Sequence, residues 1–183
     1  MPPEKTKAPA TGEILERKPG YQGFYRMDCI RFRHRLFSGE MGPVLNRELL
    51  VRRDAVCVLP YDPQSDKVVL IEQFRIGAMD KTANPWLLEM IAGLIDHPEE
   101  APEQVALREA REEAGLDITE LWPISNYFSS PGGSNEYMYL YLGRCNAEHA
   151  GGIHGLEEEG EDIRVHVLTF SQALQALQQG RII

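Results

Sequence analysis

The stretch GLIDHPEEAPEQVALREAREEAGL, residues 93–116, decides how the rest of the chain is read. Asp96, His97, Pro98, Glu99 and Glu100 make a polar loop after Gly93. A helix must follow, because Pro102 suits an early helical position, Gly115 suits the residue after the last turn, and Ala106, Leu107, Ala110 and Ala114 recur at helical spacing. That apolar stripe is narrow and built of small side chains, so the helix is expected to pack closely on a sheet. Glu109, Glu112 and Glu113 stand at i, i+3 and i+4, so their carboxylates leave the helix from one face. Like charges in that arrangement cost a few tenths of a kcal/mol per pair, and more where water is excluded, which makes a compensating cation favourable. Carboxylate oxygens clustered without His or Cys suit Mg²⁺ or Mn²⁺ better than zinc. A bare trio of glutamates would otherwise read as a solvated acidic face balanced by Arg108 and Arg111.

Outward from the helix, strand signals surround it. Ala55 to Leu59 and Lys67 to Phe74 are apolar and β-branched, separated by the turn formers Pro60 to Asp66, and Trp86 to Ala92 reads as one further strand. Ile124–Phe128, Tyr137–Leu142 and Ile163–Leu168 also read as strands, and Ser171 is the expected N-cap of a second helix reaching about Gln179. Upstream, Gly23 to Leu36 alternates, with Arg31, Arg33 and Arg35 on one face. That row suits the wet side of an edge strand, with a partner strand around Arg47–Arg52. Residues 1–19, rich in Pro, Lys, Thr and Ala, are expected to be a flexible tail. The expected division is therefore a tail over 1–19, a small antiparallel sheet subdomain over 20–53, and the main domain over 54–183. The fold class is α/β: an α/β/α sandwich with a mixed sheet plus the small N-terminal sheet.

Composition narrows the function. The 183 residues carry a formal net charge of −9, which opposes sequence-independent nucleic-acid binding. No apolar run approaches the ~20 residues that span a bilayer, and the N-terminus lacks a secretory apolar stretch, so the cytoplasm is the expected compartment. Three scattered cysteines, Cys29, Cys57 and Cys145, show no metal or redox pairing, and the five histidines show no ligand spacing.

Residues 93–116 resemble the Nudix box, Gx5Ex7REUxEExGU with U apolar, through Gly93, Arg108, Glu109, Ala110, Glu112, Glu113, Gly115 and Leu116. The loop is one residue longer than the box, so Glu99 keeps the spacing from Gly93 while Glu100 keeps the spacing to Arg108. The resemblance implies a Nudix fold and hydrolysis of a nucleoside diphosphate linked to another group. It implies Mg²⁺, with Mn²⁺ as a possible substitute, held by Glu109, Glu112, Glu113 and the carbonyl of Ala92, with Arg108 and Glu112 in the catalytic group. Ser129-Ser130-Pro131-Gly132-Gly133-Ser134-Asn135-Glu136, an ordinary turn on its own, resembles a feature of the members that cleave ADP-ribose. Similarity outside the box, through GFYRMDCIRFRHRLFSGEM, VVLIEQFRIGA, PWLLEMIAG and GIHGLEEEGEDIRVHV, points the same way.

By the same resemblance, Glu159 or Glu161, in the acidic loop Gly155–Asp162, supplies the catalytic base. Arg47 and Arg75 meet phosphate or nucleoside, and Phe24, Ser130 and Glu136 lie at the nucleoside. The family also implies a homodimer with exchanged N-terminal sheets. Other readings are a Nudix enzyme for another nucleotide sugar such as GDP-mannose, or a non-catalytic ADP-ribose-binding module. The second conflicts with the full set of box carboxylates.

Overall fold

Most of the strands are built from β-branched and apolar runs, as in Val56-Cys57-Val58 and Val68-Val69-Leu70-Ile71, whose alternate residues reach both faces of a sheet. The structure, a computed structural model, describes residues 11–97, 99–156, 158 and 160–182. Its chain divides into two compact units, one reaching to Arg52 and taking in Phe128–Glu136, the other formed by Arg53–Tyr127 and Tyr137 onward.

The first unit is a three-stranded antiparallel sheet in the order β1-β2-β3: β1 is Gly12–Gln22, β2 Arg26–His34 and β3 Leu45–Val51. Two expectations are corrected here. Residues 12–19 are not tail but most of β1, and β2 is the central strand rather than an edge. The physical reason lies in cross-strand charge. The arginine row does face water, but across the strands Arg33 pairs with Glu13 and Arg31 with Glu16. Those partners sit among prolines and lysines, where composition conceals them. Asp28, fully buried, takes hydrogen bonds from Arg17 at 2.5 Å and Arg26 at 2.6 Å and ties the two strands together. The Pro131 turn belongs to this unit. Gly133 and Ser134 donate to the Ser130 carbonyl, Leu50 donates to Gly133, and the Asn135 carboxamide clasps both the N–H and the carbonyl of Arg52.

The second unit holds an eight-stranded mixed sheet. Its path is β10 (Ile153–His154), β11 (Ile163–Thr169), β5 (Lys67–Phe74), β4 (Ala55–Asp62), β9 (Tyr137–Arg144) and β8 (Glu120–Phe128). β4 and β9 run parallel. β4 and β5 pair only beside their turn, at Tyr61–Val68 and Asp62–Lys67, and then diverge. The run expected as one strand splits to fill that fork: β6 (Trp86–Glu89) pairs with β5, and β7 (Ile91–Leu94) pairs with β4. Met90 is the changeover, which a continuous apolar run cannot reveal.

Helix α1, Pro102–Ala114, lies against one face of this sheet. Val105, Ala106, Ala110 and Ala114 pack with Val56, Val58, Val69, Ile71, Ile91, Ile163 and Val165. Gln104 accepts a hydrogen bond from the N–H of Ala101 at the helix start, and Gly115, at φ 61°, ends it in the left-handed region. Helix α2, Phe170–Gln178, packs on β11 and β5. Its N-cap is Thr169 rather than Ser171, because β11 runs directly into the helix and the spacing from Thr169 to Gln172 completes a reciprocal cap. No helix among the described residues is long and apolar enough to cross a membrane.

Ala110 is fully buried where α1 meets the sheet. Ala110→Leu is expected to overpack this contact and cost about 1–3 kcal/mol, read as a lower unfolding midpoint in denaturant. An unchanged midpoint would mean that the helix does not rest on the sheet through its alanines.

Candidate active site

The acidic face of α1 is turned toward β7. Glu113 is only 3% exposed, and its Oε2 accepts a hydrogen bond from the N–H of Ala92 at 3.0 Å. β7 pairs along β4 alone, so Glu113 satisfies an amide that no neighbouring strand takes. One turn back, Glu109 lies over Gly93, and a Cβ at position 93 would collide with its carboxylate. The box glycine therefore leaves room for the Glu109 side chain and is not called for by an unusual backbone angle.

Arg108 is the counter-charge. Its Nη1 donates to Glu109 at 2.7 Å and to Glu112 at 3.0 Å, its Nε to Glu100 at 3.2 Å, and its Nη2 to the Leu94 carbonyl at 3.4 Å. Of the two loop glutamates, Glu100 is thus the one engaged with the helix, while Glu99 is exposed. The second oxygen of Glu100 is buried and has no hydrogen-bond partner among the described residues. Beside this cluster, Arg75 makes a two-point pair with Glu89, Nε at 3.0 Å and Nη2 at 2.7 Å. Glu161 closes its own loop: its carboxylate accepts from the N–H of Leu156 at 3.1 Å, and its own N–H donates to the Leu156 carbonyl at 3.2 Å.

Burial is the largest influence on the helix carboxylates. It lifts Glu113 to about 8, helped by the negative charges of Glu109 and Glu161 and resisted by the Ala92 amide and Arg75. It lifts Glu109 to about 7, with Glu112 and Glu161 adding to the rise and Arg108 opposing it. Burial disfavours the charge on Arg108, yet Glu109, Glu100 and Glu112 outweigh that and push its pKa up.

The second unit thus gathers Arg75, Ala92, Arg108, Glu109, Glu112, Glu113 and Glu161 into one electrostatic neighbourhood. The other substrate residues expected from sequence belong to the first unit. Phe24 is 92% exposed and packs edge-on against Tyr25, and Arg47 is exposed on β3. Ser130 anchors the Pro131 turn, and Glu136 accepts from Ser129 and pairs with Arg52 at 2.7 Å. Glu159 lies outside the described residues. Sequence reasoning missed Glu89; the available signal was a single acidic residue inside the apolar run of residues 86–92, where an uncompensated charge would be costly.

Among the described residues, no three His, Cys, Asp or Glu side chains already converge as a ready-made ion site. The physical reason is Arg108, whose guanidinium stands between Glu109 and Glu112. The donor set nevertheless fits a hard divalent cation. It consists of oxygen only, Glu113 is buried with Glu109 part-buried beside it, and one buried oxygen of Glu100 lacks a partner among the described residues.

Comparison with known proteins agrees with this geometry. Residues 51–182 match the NUDIX domain, and the chain belongs to that family. It is 49% identical over 170 residues to ADP-ribose pyrophosphatase of Escherichia coli (strain K12), covering 93% of this chain and 81% of that protein. It is 45% identical to ADP-ribose pyrophosphatase of Haemophilus influenzae, covering 93% and 79%. A GDP-mannose pyrophosphatase of Escherichia coli O1:K1 / APEC is 34% identical, covering 74% and 70%. Among solved structures, one described as an ADP compounds hydrolase shares the fold with a TM-score of 0.66 at 19% identity, covering 94% of this chain and 86% of that one.

Two outcomes follow from the packing. Gly93→Ala is expected to push the Glu109 carboxylate aside and reduce divalent-cation affinity roughly 10- to 100-fold with little loss of melting temperature; titration calorimetry with Mn²⁺ tests it. Glu113 has a folded-state pKa above its unfolded one, so its contribution to stability is present at low pH and lost as pH rises toward about 8. In chelator, the melting temperature is therefore expected to drop by several degrees between about pH 6 and pH 9, and by less in Glu113→Gln. Equal drops in both proteins would show that Glu113 is not held in a desolvated place.

Proposed function

We propose that this protein hydrolyses the diphosphate linkage of ADP-ribose to AMP and ribose 5-phosphate, with Mg²⁺ as the metal and Mn²⁺ as a substitute. The carrying observation is the buried Glu113 with the part-buried Glu109 one turn before it, on the box helix of a chain 49% identical to an ADP-ribose pyrophosphatase. Glu109, Glu112, Glu113 and the Ala92 carbonyl are the residues that would hold the ion. Divalent ions bound there supply charge neutralisation for the diphosphate and lower the pKa of water.

The protein's own groups have separate tasks. Arg108 keeps the carboxylates of Glu109 and Glu112 aligned, and Glu112 joins the catalytic group. Arg75 offers a guanidinium to a phosphoryl oxygen, in a place already polarised by Glu89 and Glu113. A carboxylate from the acidic loop, Glu159 or Glu161, removes the proton of the attacking water; Glu161 is held at rest by the Leu156 amide and must leave it to act. Phe24 offers an aromatic face to adenine, while Arg47, Ser130 and Glu136 meet the nucleoside.

The working form is a homodimer with exchanged N-terminal sheets. Support comes from the first unit: every residue of β1 is exposed, and Ile14, Tyr21, Phe24 and Tyr25 offer apolar surface. The compartment is the cytoplasm, in keeping with just three cysteines scattered along the sequence without close pairing. A second reading, a nucleotide-sugar hydrolase acting on GDP-mannose, has the 34% identical relative in its favour.

The deciding measurement is product chromatography with Mg²⁺ and, in parallel, ADP-ribose and GDP-mannose. AMP and ribose 5-phosphate should dominate, and Glu113→Gln should lose at least roughly a hundredfold in turnover. Faster cleavage of GDP-mannose, or undiminished turnover by the variant, would overturn the assignment.

A further inference from the structure

Arg75 is held in a particular way. Glu89 takes the side edge of its guanidinium, with Oε1 and Oε2 both 3.0 Å from Nε and Oε2 2.7 Å from Nη2. A planar guanidinium has two edges that can meet an oxyanion in parallel, Nε with Nη2 and Nη1 with Nη2. With the first edge occupied, the second is left as the outward fork. Among the described residues no acceptor is hydrogen-bonded to Nη1.

The burial is asymmetric in the useful sense. The Glu89 side chain is 14% exposed and that of Arg75 is 42% exposed, so the carboxylate is the fixed partner and the guanidinium reaches outward from it. β6 sets the carboxylate in place. Glu89 pairs in register with Ile71 of β5, on the core face of the sheet, and Arg75 follows at the end of the same strand, its N–H bonded to the Pro85 carbonyl. The strand fork therefore supplies the anchor, and the anchor aims the arginine.

The surroundings define what the outward fork is for. The negative charges of Glu113 and Glu161 act on Arg75, so this cation sits within the acidic cluster rather than on a remote surface. A cationic fork set among carboxylates suits an oxyanion that arrives with its own cations.

We propose that Glu89 is a positioning residue: by gripping the Nε and Nη2 edge of Arg75 it presents the Nη1 and Nη2 edge to a phosphoryl oxygen of the nucleotide sugar. This rests on the hydrolase reading given above and adds to it a residue that never touches substrate. Glu89 acts through Arg75 alone.

The test is a double-mutant cycle on the full chain, with Mg²⁺ and ADP-ribose, using Glu89→Ala, Arg75→Lys and both together, and with Glu89→Gln as the conservative variant. Loss of a two-point charged grip should raise KM by about tenfold or more in Glu89→Ala while kcat changes much less, with Glu89→Gln in between. In the Arg75→Lys background, which lacks the fork, adding Glu89→Ala should change KM hardly at all. Melting temperatures identify a variant that merely fails to fold, and the Arg75→Lys background repeats the comparison in that event. Additive losses, or a Glu89→Ala enzyme with unchanged KM, would overturn the positioning role while leaving the hydrolase reading intact. An unmodified enzyme that releases no AMP from ADP-ribose would instead remove the hydrolase reading and this role with it.

Discussion

The cost of placing several carboxylates on one short helix, against a sheet that hides them from water, governs the second unit. Glu109 and Glu113 are pressed toward the protonated state by burial, with Glu112 and Glu161 adding to the rise at Glu109, and Glu109 and Glu161 adding to it at Glu113. Three compensations hold them: the Arg108 guanidinium, the Ala92 amide and the field of Arg75. None of these is strong enough to make both groups ordinary ionised acids near neutral pH. The helix therefore stands ready for a cation, and the same repulsion that destabilises the unliganded chain is converted into affinity when one binds.

Every neighbouring element can be understood as serving that arrangement. The alanine stripe brings α1 close enough for Glu109 to lie over Gly93, and a larger stripe would hold the carboxylates away from β7. β7 pairs with only one strand and so leaves an amide for Glu113. The extra residue in the loop before α1 does not separate Glu100 from Arg108, because a loop can absorb length that a helix cannot.

The helix itself was largely legible in sequence. Pro102 and Gly115 bracket the observed helix, and the spacing of Glu109, Glu112 and Glu113 places them as the structure has them. The fold class was also readable, since strands in irregular order around one long helix imply a mixed sheet. Other features depend on partners remote in the chain, which no local pattern displays. β1 takes its identity from charges opposite it on β2, and the break at Met90 comes from the divergence of β4 and β5. Glu89 stood out in sequence only as a lone acid in an apolar run, and its partner could not be read there because Arg75 lies fourteen residues earlier, just past the end of β5. Gly93 was recognised as part of a motif, but the room it leaves for the Glu109 side chain needed the structure.

The fork between β4 and β5 also bears on how the molecule comes apart. Those strands share just two paired positions of their own, so the sheet is joined across the gap by the segment from Trp86 to Leu94. That segment supplies the anchor of Arg75 and the amide of Ala92 and passes through the buried core at Ile91. It cannot fray from one end, as a terminal strand does, without parting the two halves of the sheet. Hydrogen exchange at its core amides therefore belongs with the slowest, globally cooperative class, and the acidic site persists for as long as the domain itself does.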